Sequence, residues 1–115
     1  MKGRNIPVLL QEIVDNINYI RQLTKGITYE EFLNNDPVYI ATIESITKIS
    51  GAAEQMPTIV RVKHSLIPWN AIAGLSAGIR STGPGTDPVK VWKAATEYLP
   101  GIKPQIEQML DESRQ

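Results

Sequence analysis

The sequence predicts an all-α protein: an antiparallel up-down bundle of four main helices with short accessory helices, forming one domain over residues 1–115. Three observations carry this. Apolar residues recur at three- and four-residue spacing in every long segment. The segments are punctuated by helix starts and stops such as Thr28-Tyr29-Glu30-Glu31, Asp36-Pro37 and Asp87-Pro88. No stretch alternates strictly enough between apolar and polar to read as a half-buried strand.

The first helix is expected over about 5–25. Ile6, Leu9, Leu10, Ile13, Ile17, Ile20 and Leu23 lie on one side, and Gln11, Glu12, Asp15, Asn16 and Arg21 on the other. Pro7 suits the first turn, where its missing N–H costs nothing, and Gly26 offers a C-terminal stop. Thr28 and Glu31 have the spacing of a capping box for a short helix ending near Asn34-Asn35. Asp36 as N-cap and Pro37 as first helical residue then open a helix over about 37–55. Its stripe is Tyr39, Ile43, Ile46, Ile49, Ala53 and Met56. Its β-branched residues lower the intrinsic propensity without changing the period.

Pro57 ends that helix, and 57–63 is at most a short helical turn, followed by a connector at His64-Ser65-Leu66. Pro68 starts the next helix, with Trp69, Ile72, Leu75 and Ile79 on one side and small residues between them. Residues 81–86 (Ser-Thr-Gly-Pro-Gly-Thr) form a loop. Asp87-Pro88 opens a helix with the stripe Val89, Trp92, Ala95 and Leu99. Pro100-Gly101 interrupts it, and Ile102, Ile106, Met109 and Leu110 carry the last helix.

Composition removes several function classes. There is no cysteine, hence no disulfide framework, thiolate metal site or cysteine nucleophile. A single histidine excludes a His-rich metal site and a paired-histidine acid/base mechanism within one chain, and no metal or cofactor is expected. No stretch approaches the roughly 18 apolar residues of a membrane span. Met1-Lys2-Gly3-Arg4 does not lead into a signal peptide, so the expected location is cytoplasmic. The zero net charge conceals a partition: residues 57–96 hold five basic side chains against one acidic, a charge of +4, and both flanks are acidic. Such a patch suits phosphates only if its charges share a face.

The order of segments resembles the HepT-like proteins of the HEPN superfamily. The resemblance rests on Leu23-Thr24-Lys25-Gly26 followed by Tyr29–Leu33, on Ala52-Ala53-Glu54-Gln55-Met56-Pro57, and on Ile67-Pro68-Trp69-Asn70-Ala71-Ile72-Ala73-Gly74-Leu75. Asp87, Val91-Trp92 and Tyr98-Leu99-Pro100 follow, so that nearly the whole chain is covered. The resemblance implies a helical homodimer related to RNA-cleaving toxins, paired with a minimal nucleotidyltransferase as antitoxin. It also implies a motif directly after Gly-Leu: an arginine, a polar residue, then a histidine, with a tyrosine two positions on. Histidine suits proton transfer at the 2′-hydroxyl near neutral pH. Arginine suits the charge that develops on phosphate, and the family's tyrosine is the place where the partner attaches AMP.

This chain departs from the motif at each place. Ser76 stands for the arginine, Ala77 for the polar residue, Ser81 for the histidine and Gly83 for the tyrosine. Ser45 and Thr47 stand where relatives often carry Asn and Glu. Serine has no fixed charge and does not exchange protons near pH 7. The expectation is a HEPN fold without the ribonuclease apparatus, acting by binding and assembly. RNA is a weaker expected partner, contacted through Arg80, Lys90, Lys93 and His64. Ile72, Leu75 and Ile79 are expected at the dimer contact. One alternative is a divergent metal-independent ribonuclease using Arg80 and His64, and another is a nucleotide-binding helical module. The bland readings stand beside these: Arg80 as a solvated loop arginine, and Arg61, Lys63 and His64 as a basic connector. Residues 81–86 lack the Gly-Lys-Ser/Thr ending of a phosphate loop, and Glu30-Glu31 and Asp111-Glu112 are helix-end charges. Trp69 and Trp92 are core or dimer anchors.

Overall fold

The computed structural model describes residues 5–81 and 83–114. Its first helix, α1 (Ile6–Thr24), has Asn5 as its N-cap, with the side-chain oxygen accepting from the Val8 N–H at 3.0 Å. Leu9, Leu10, Ile13, Val14, Ile17 and Ile20 form its buried face. Gly26 follows at φ +75°, the left-handed conformation that ends helices and that a side chain disfavours. The capping box is present as expected before α2 (Tyr29–Leu33). The Glu31 N–H donates to the Thr28 hydroxyl at 3.1 Å, and the Thr28 N–H to the Glu31 carboxylate at 2.8 Å.

Helix α3 (Asp36–Glu54) begins one residue earlier than the Asp-Pro signal suggests. Asn35 is the cap and accepts from the Val38 N–H at 3.2 Å, while Asp36 lies in the first turn. The displacement has a simple cause: Asn and Asp cap about equally well, and a carboxylate in the first turn still meets the positive end of the helix dipole. The six-residue α4 (Thr58–Lys63) follows Pro57 and buries none of its residues.

Two further helices replace the one expected from Pro68: α5 (Trp69–Ala73) and α6 (Leu75–Gly78), divided at Gly74. The cause lies in α3. The buried Ser50 hydroxyl donates to the Ile72 carbonyl at 2.9 Å and accepts from the Ser76 N–H at 3.0 Å. Those two groups would otherwise bond to each other, four residues apart, in a continuous helix. A side chain inserted into that ladder bends it.

The last helix differs too. α7 (Pro88–Lys93) is capped by Asp87, which accepts from the Val89 N–H at 3.0 Å. A π-helical turn (Ala94–Tyr98) then leads directly into α8 (Leu99–Ser113), so the chain stays helical through Pro100 and Gly101 rather than breaking there. Pro100 offers no N–H to the Thr96 carbonyl, and its ring would crowd it in a regular helix. The wider turn relieves this, with the Leu99 N–H reaching back five residues to the Ala94 carbonyl.

The result is all-α among the described residues, with α1 at the centre, packed on α3, α8 and the π turn, and with α5 and α6 lying on α3. Three long helical stretches form the bundle, and the short pair α5 and α6 takes the place of a fourth. Phe32, fully buried, anchors an aromatic cluster with Trp92 at 5.0 Å and Tyr39 at 5.2 Å between ring centres. Trp69 is buried and its indole N–H donates to the His64 carbonyl at 3.1 Å. No helix of the described residues is long and apolar enough to cross a membrane.

Candidate functional site

The segment that follows Gly74-Leu75 runs from α6 into a closed loop. Ser76 lies in α6 with its backbone N–H held by Ser50, and Ala77 beside it is exposed. The loop shuts on itself: Arg80 and Thr86 form an isolated antiparallel bridge, the Asp87 N–H donates to the Ile79 carbonyl at 2.7 Å, and the Ser81 N–H to the Gly85 carbonyl at 3.2 Å. Gly85 turns the chain at φ +90°. The Ser81 hydroxyl donates inward to the Gly83 carbonyl at 2.9 Å, with the Pro84 carbonyl at 3.2 Å. Thr86 and Tyr39 share a 2.6 Å hydroxyl hydrogen bond that fastens the loop to α3. Thr82 lies outside the described residues. Thus the loop expected at 81–86 is present, and the Ser76 backbone N–H and the Ser81 hydroxyl are engaged in folding contacts.

Beside this segment lies a cavity of about 460 Å³ lined by Leu75, Ile79, Lys90, Lys93, Glu97 and Tyr98, together with Gly78 and Ala94. It brings together side chains that the sequence offered separately: two candidate dimer contacts and two candidate phosphate contacts. Lys90 and Lys93 are three residues apart and share a side of α7. Of the three candidate dimer residues, Ile72 and Ile79 are 0% and 2% exposed and belong to the core of the single chain. Only Leu75 reaches the surface.

Tyr98 escaped the sequence reading, which quoted it without a role. It belongs to the π turn, a feature often found at functional sites. Its hydroxyl is buried and has no hydrogen-bond partner among the described residues. Burial pushes the phenol pKa up from its ordinary value of 10.0. The folded state therefore keeps a proton that the unfolded chain releases above pH 10, and stability falls as pH rises through that range. Tyr98→Phe removes the unpaired hydroxyl. It is expected to leave stability at pH 7 unchanged or raise it by up to about 1 kcal/mol, and to lessen the loss above pH 10. Thermal melts of both proteins from pH 7 to 11 check this; a clear loss at pH 7 would mean that the hydroxyl has a partner in solution.

The remaining candidates are dispersed. Arg80 is exposed in the loop. His64 ends α4 and lines a cavity with Lys63, Met109 and Glu112, near the end of α8. Neither described cavity that contains His64 includes Arg80, so a single chain does not assemble the Arg80–His64 pair into one pocket. Ser45 is buried, and the Thr47 hydroxyl bonds to the Ile43 carbonyl of its own helix at 3.0 Å. The described residues contain no cluster of three or more His, Asp or Glu able to hold a metal ion.

A family model described as ribonuclease HepT-like matches residues 13–109. Among curated relatives, "Putative RNase MJ1216" of Methanocaldococcus jannaschii is 30% identical over 110 residues, covering 96% of this chain and 91% of the relative. "Putative RNase MJ0125" of the same organism is 31% identical over 110 residues, covering 96% and 95%. "Probable ribonuclease HepT" of Thermococcus cleftensis is 27% identical over 100 residues, covering 87% and 91%. No solved structure matches the chain.

Proposed function

The chain belongs to the HepT-like ribonuclease family, and from that premise we propose that it is a member without the cleavage chemistry, acting as a homodimer that binds a nucleotidyltransferase-like partner. One observation carries the loss of chemistry. At the two positions where the reaction needs a fixed cation and a proton-exchanging base stand Ser76 and Ser81, and the hydroxyl of Ser81 is turned into its own loop. A serine nucleophile would need an adjacent base. The one histidine, His64, is at the α4 connector, sharing its cavities with Lys63 and the end of α8. Lys90 and Lys93 retain the means to hold phosphate oxygens, since each supplies a compact point charge with rotatable donors.

The test is direct. The purified chain, incubated with structured and unstructured RNA, is expected to produce no cleavage above the buffer control, and the products are resolved on a denaturing gel. Cleavage that disappears in both His64→Ala and Arg80→Ala would replace this reading by the divergent ribonuclease. Co-purification from the native host is expected to recover a nucleotidyltransferase-like protein, and sedimentation a particle of twice 12.8 kDa when the chain is alone.

A further inference from the structure

We propose that α4 and the groove beside it form a docking face for an acidic amphipathic helix of a partner protein. The three most exposed large apolar side chains among the described residues fall within eight residues: Ile59 at 78%, Val62 at 71% and Leu66 at 88%. Single exposed apolar residues are ordinary; three within eight residues, two of them on a helix with no fully buried residue, are not. Ile59 and Val62 share a side of α4, and Leu66 continues from them in the connector. Against Val62 lies a groove of about 690 Å³, whose walls include Pro68, Trp69 and Ala71. Its concavity suits the apolar stripe of a helix, in the helix-in-groove mode of recognition.

The charge around the groove selects the sign of the occupant. No Asp or Glu occurs between residues 55 and 86, and no acidic residue lines the groove. Arg61, which does line it, uses four N–H donors on the Met56, Ala53 and Glu54 carbonyls and the Asn70 side chain, all neutral acceptors. Its charge thus meets no carboxylate, and one of its five N–H donors remains. Lys63 likewise has no ion-pair partner among the described residues. Glu112 lines the cavities that hold Lys63 and His64 and is absent from this groove, and Glu54, whose carbonyl accepts from Arg61, is exposed at the end of α3 and does not line it. A carboxylate beside the occupant's apolar stripe would complete Arg61 in the groove, with exposed Lys63 two residues further along α4.

A second copy of the chain fits less well. A two-fold pairing of α4 with itself would set Arg61 and Lys63 against their own equivalents. The acidic end of α8 offers no free stripe, because Ile106, Met109 and Leu110 are buried in its own core. A lipid surface would not fill the concavity.

This inference deepens the binding reading above, and its experiment separates the two. The isotope-labelled full chain is titrated with a short synthetic helix carrying leucines at three- and four-residue spacing and glutamates elsewhere, and with a twin carrying lysines in place of glutamates. The acidic helix is expected to shift the amide signals of Ile59, Val62 and Leu66 and to bind at least about tenfold more tightly than its twin, a difference of about 1.4 kcal/mol. Val62→Asp, at an exposed position, is expected to weaken binding about tenfold with an unchanged melting temperature, and Lys63→Glu to shift the preference toward the lysine twin. Equal affinity for both helices, shifts confined to another face, or no binding overturns the proposal. So does binding to phosphatidylserine vesicles in place of the acidic helix, or self-association that Val62→Asp abolishes. If the native nucleotidyltransferase-like partner co-purifies equally with Val62→Asp, the binding reading stands and the α4 face falls.

Discussion

Ser50→Ala is expected to destabilise the protein by about 1–3 kcal/mol, the cost of stranding buried backbone groups. The Ser50 side chain is 3% exposed and mediates between the Ile72 carbonyl and the Ser76 N–H. Removing the hydroxyl leaves a donor and an acceptor facing each other across the space it occupied. Two responses are open to the chain. If α5 and α6 keep their places, both groups lose their partner and the full penalty appears. If they close the direct four-residue bond, the bend at Gly74 straightens, and the packing of both helices on α3 is disturbed instead. Gly74 limits that second route little, since it already holds φ −85° and ψ 0°. Denaturant unfolding measures the loss, with an unchanged slope and a lower midpoint expected. Amide exchange at Ser76 distinguishes the responses, because protection survives only if the direct bond forms. An unchanged midpoint would show that the serine bridge carries no net stability. The bridge makes this more than a core mutation: Ser50 sets the direction of α6, which leads into the closed loop at 81–86 and, under the reading proposed above, carries the altered motif.

That bridge also shows why the fold was legible in the sequence while parts of the site were not. Capping depends on residues two or three apart, so Thr28 with Glu31 and Asp87 with Val89 could be read directly. The apolar stripe of α1 likewise needs only its own period. The division at Gly74 depends on a hydroxyl more than twenty residues away in sequence, and no local pattern encodes it. Pro100 misled for the opposite reason. Its local rule is sound for a regular helix, but a single wide turn satisfies it without a break. Within the site, Lys90 and Lys93 were visible as cations on one side of a helix. What escaped was their company, above all Tyr98, whose unpaired hydroxyl is a property of three-dimensional burial. Ile72 and Ile79 looked available for a partner because periodicity marks an apolar face without saying which neighbour covers it.

Arg61 was the least legible residue, since a basic side chain in a connector ordinarily points into water. Here its guanidinium closes the C-terminal end of α3: Nε donates to the Met56 carbonyl at 3.0 Å, and Nη2 to the Ala53 and Glu54 carbonyls at 2.8 and 3.0 Å. The last carbonyls of a helix lack intrahelical donors, and a cation there also meets the negative end of the dipole. Because α4 buries no residue, this clamp is a principal tie between α4 and the bundle. Arg61→Ala is therefore expected to cost about 1.5–3 kcal/mol, the range for hydrogen bonds from a charged donor, moderated because water can reach part of the site. It should also raise amide exchange across 58–63 well above that of α1. Arg61→Lys separates charge from geometry. Lysine keeps the favourable position at the helix end, worth about 0.3–1 kcal/mol, but its compact ammonium cannot span carbonyls on three residues and the Asn70 side chain together. The lysine variant should accordingly fall between wild type and alanine in denaturant midpoint. If it matches wild type, the dipole alone accounts for the arginine and the clamp contributes nothing. If alanine is neutral as well, α4 is held by the partly buried Val60 and its neighbours, and the groove proposed above would have to keep its shape without Arg61.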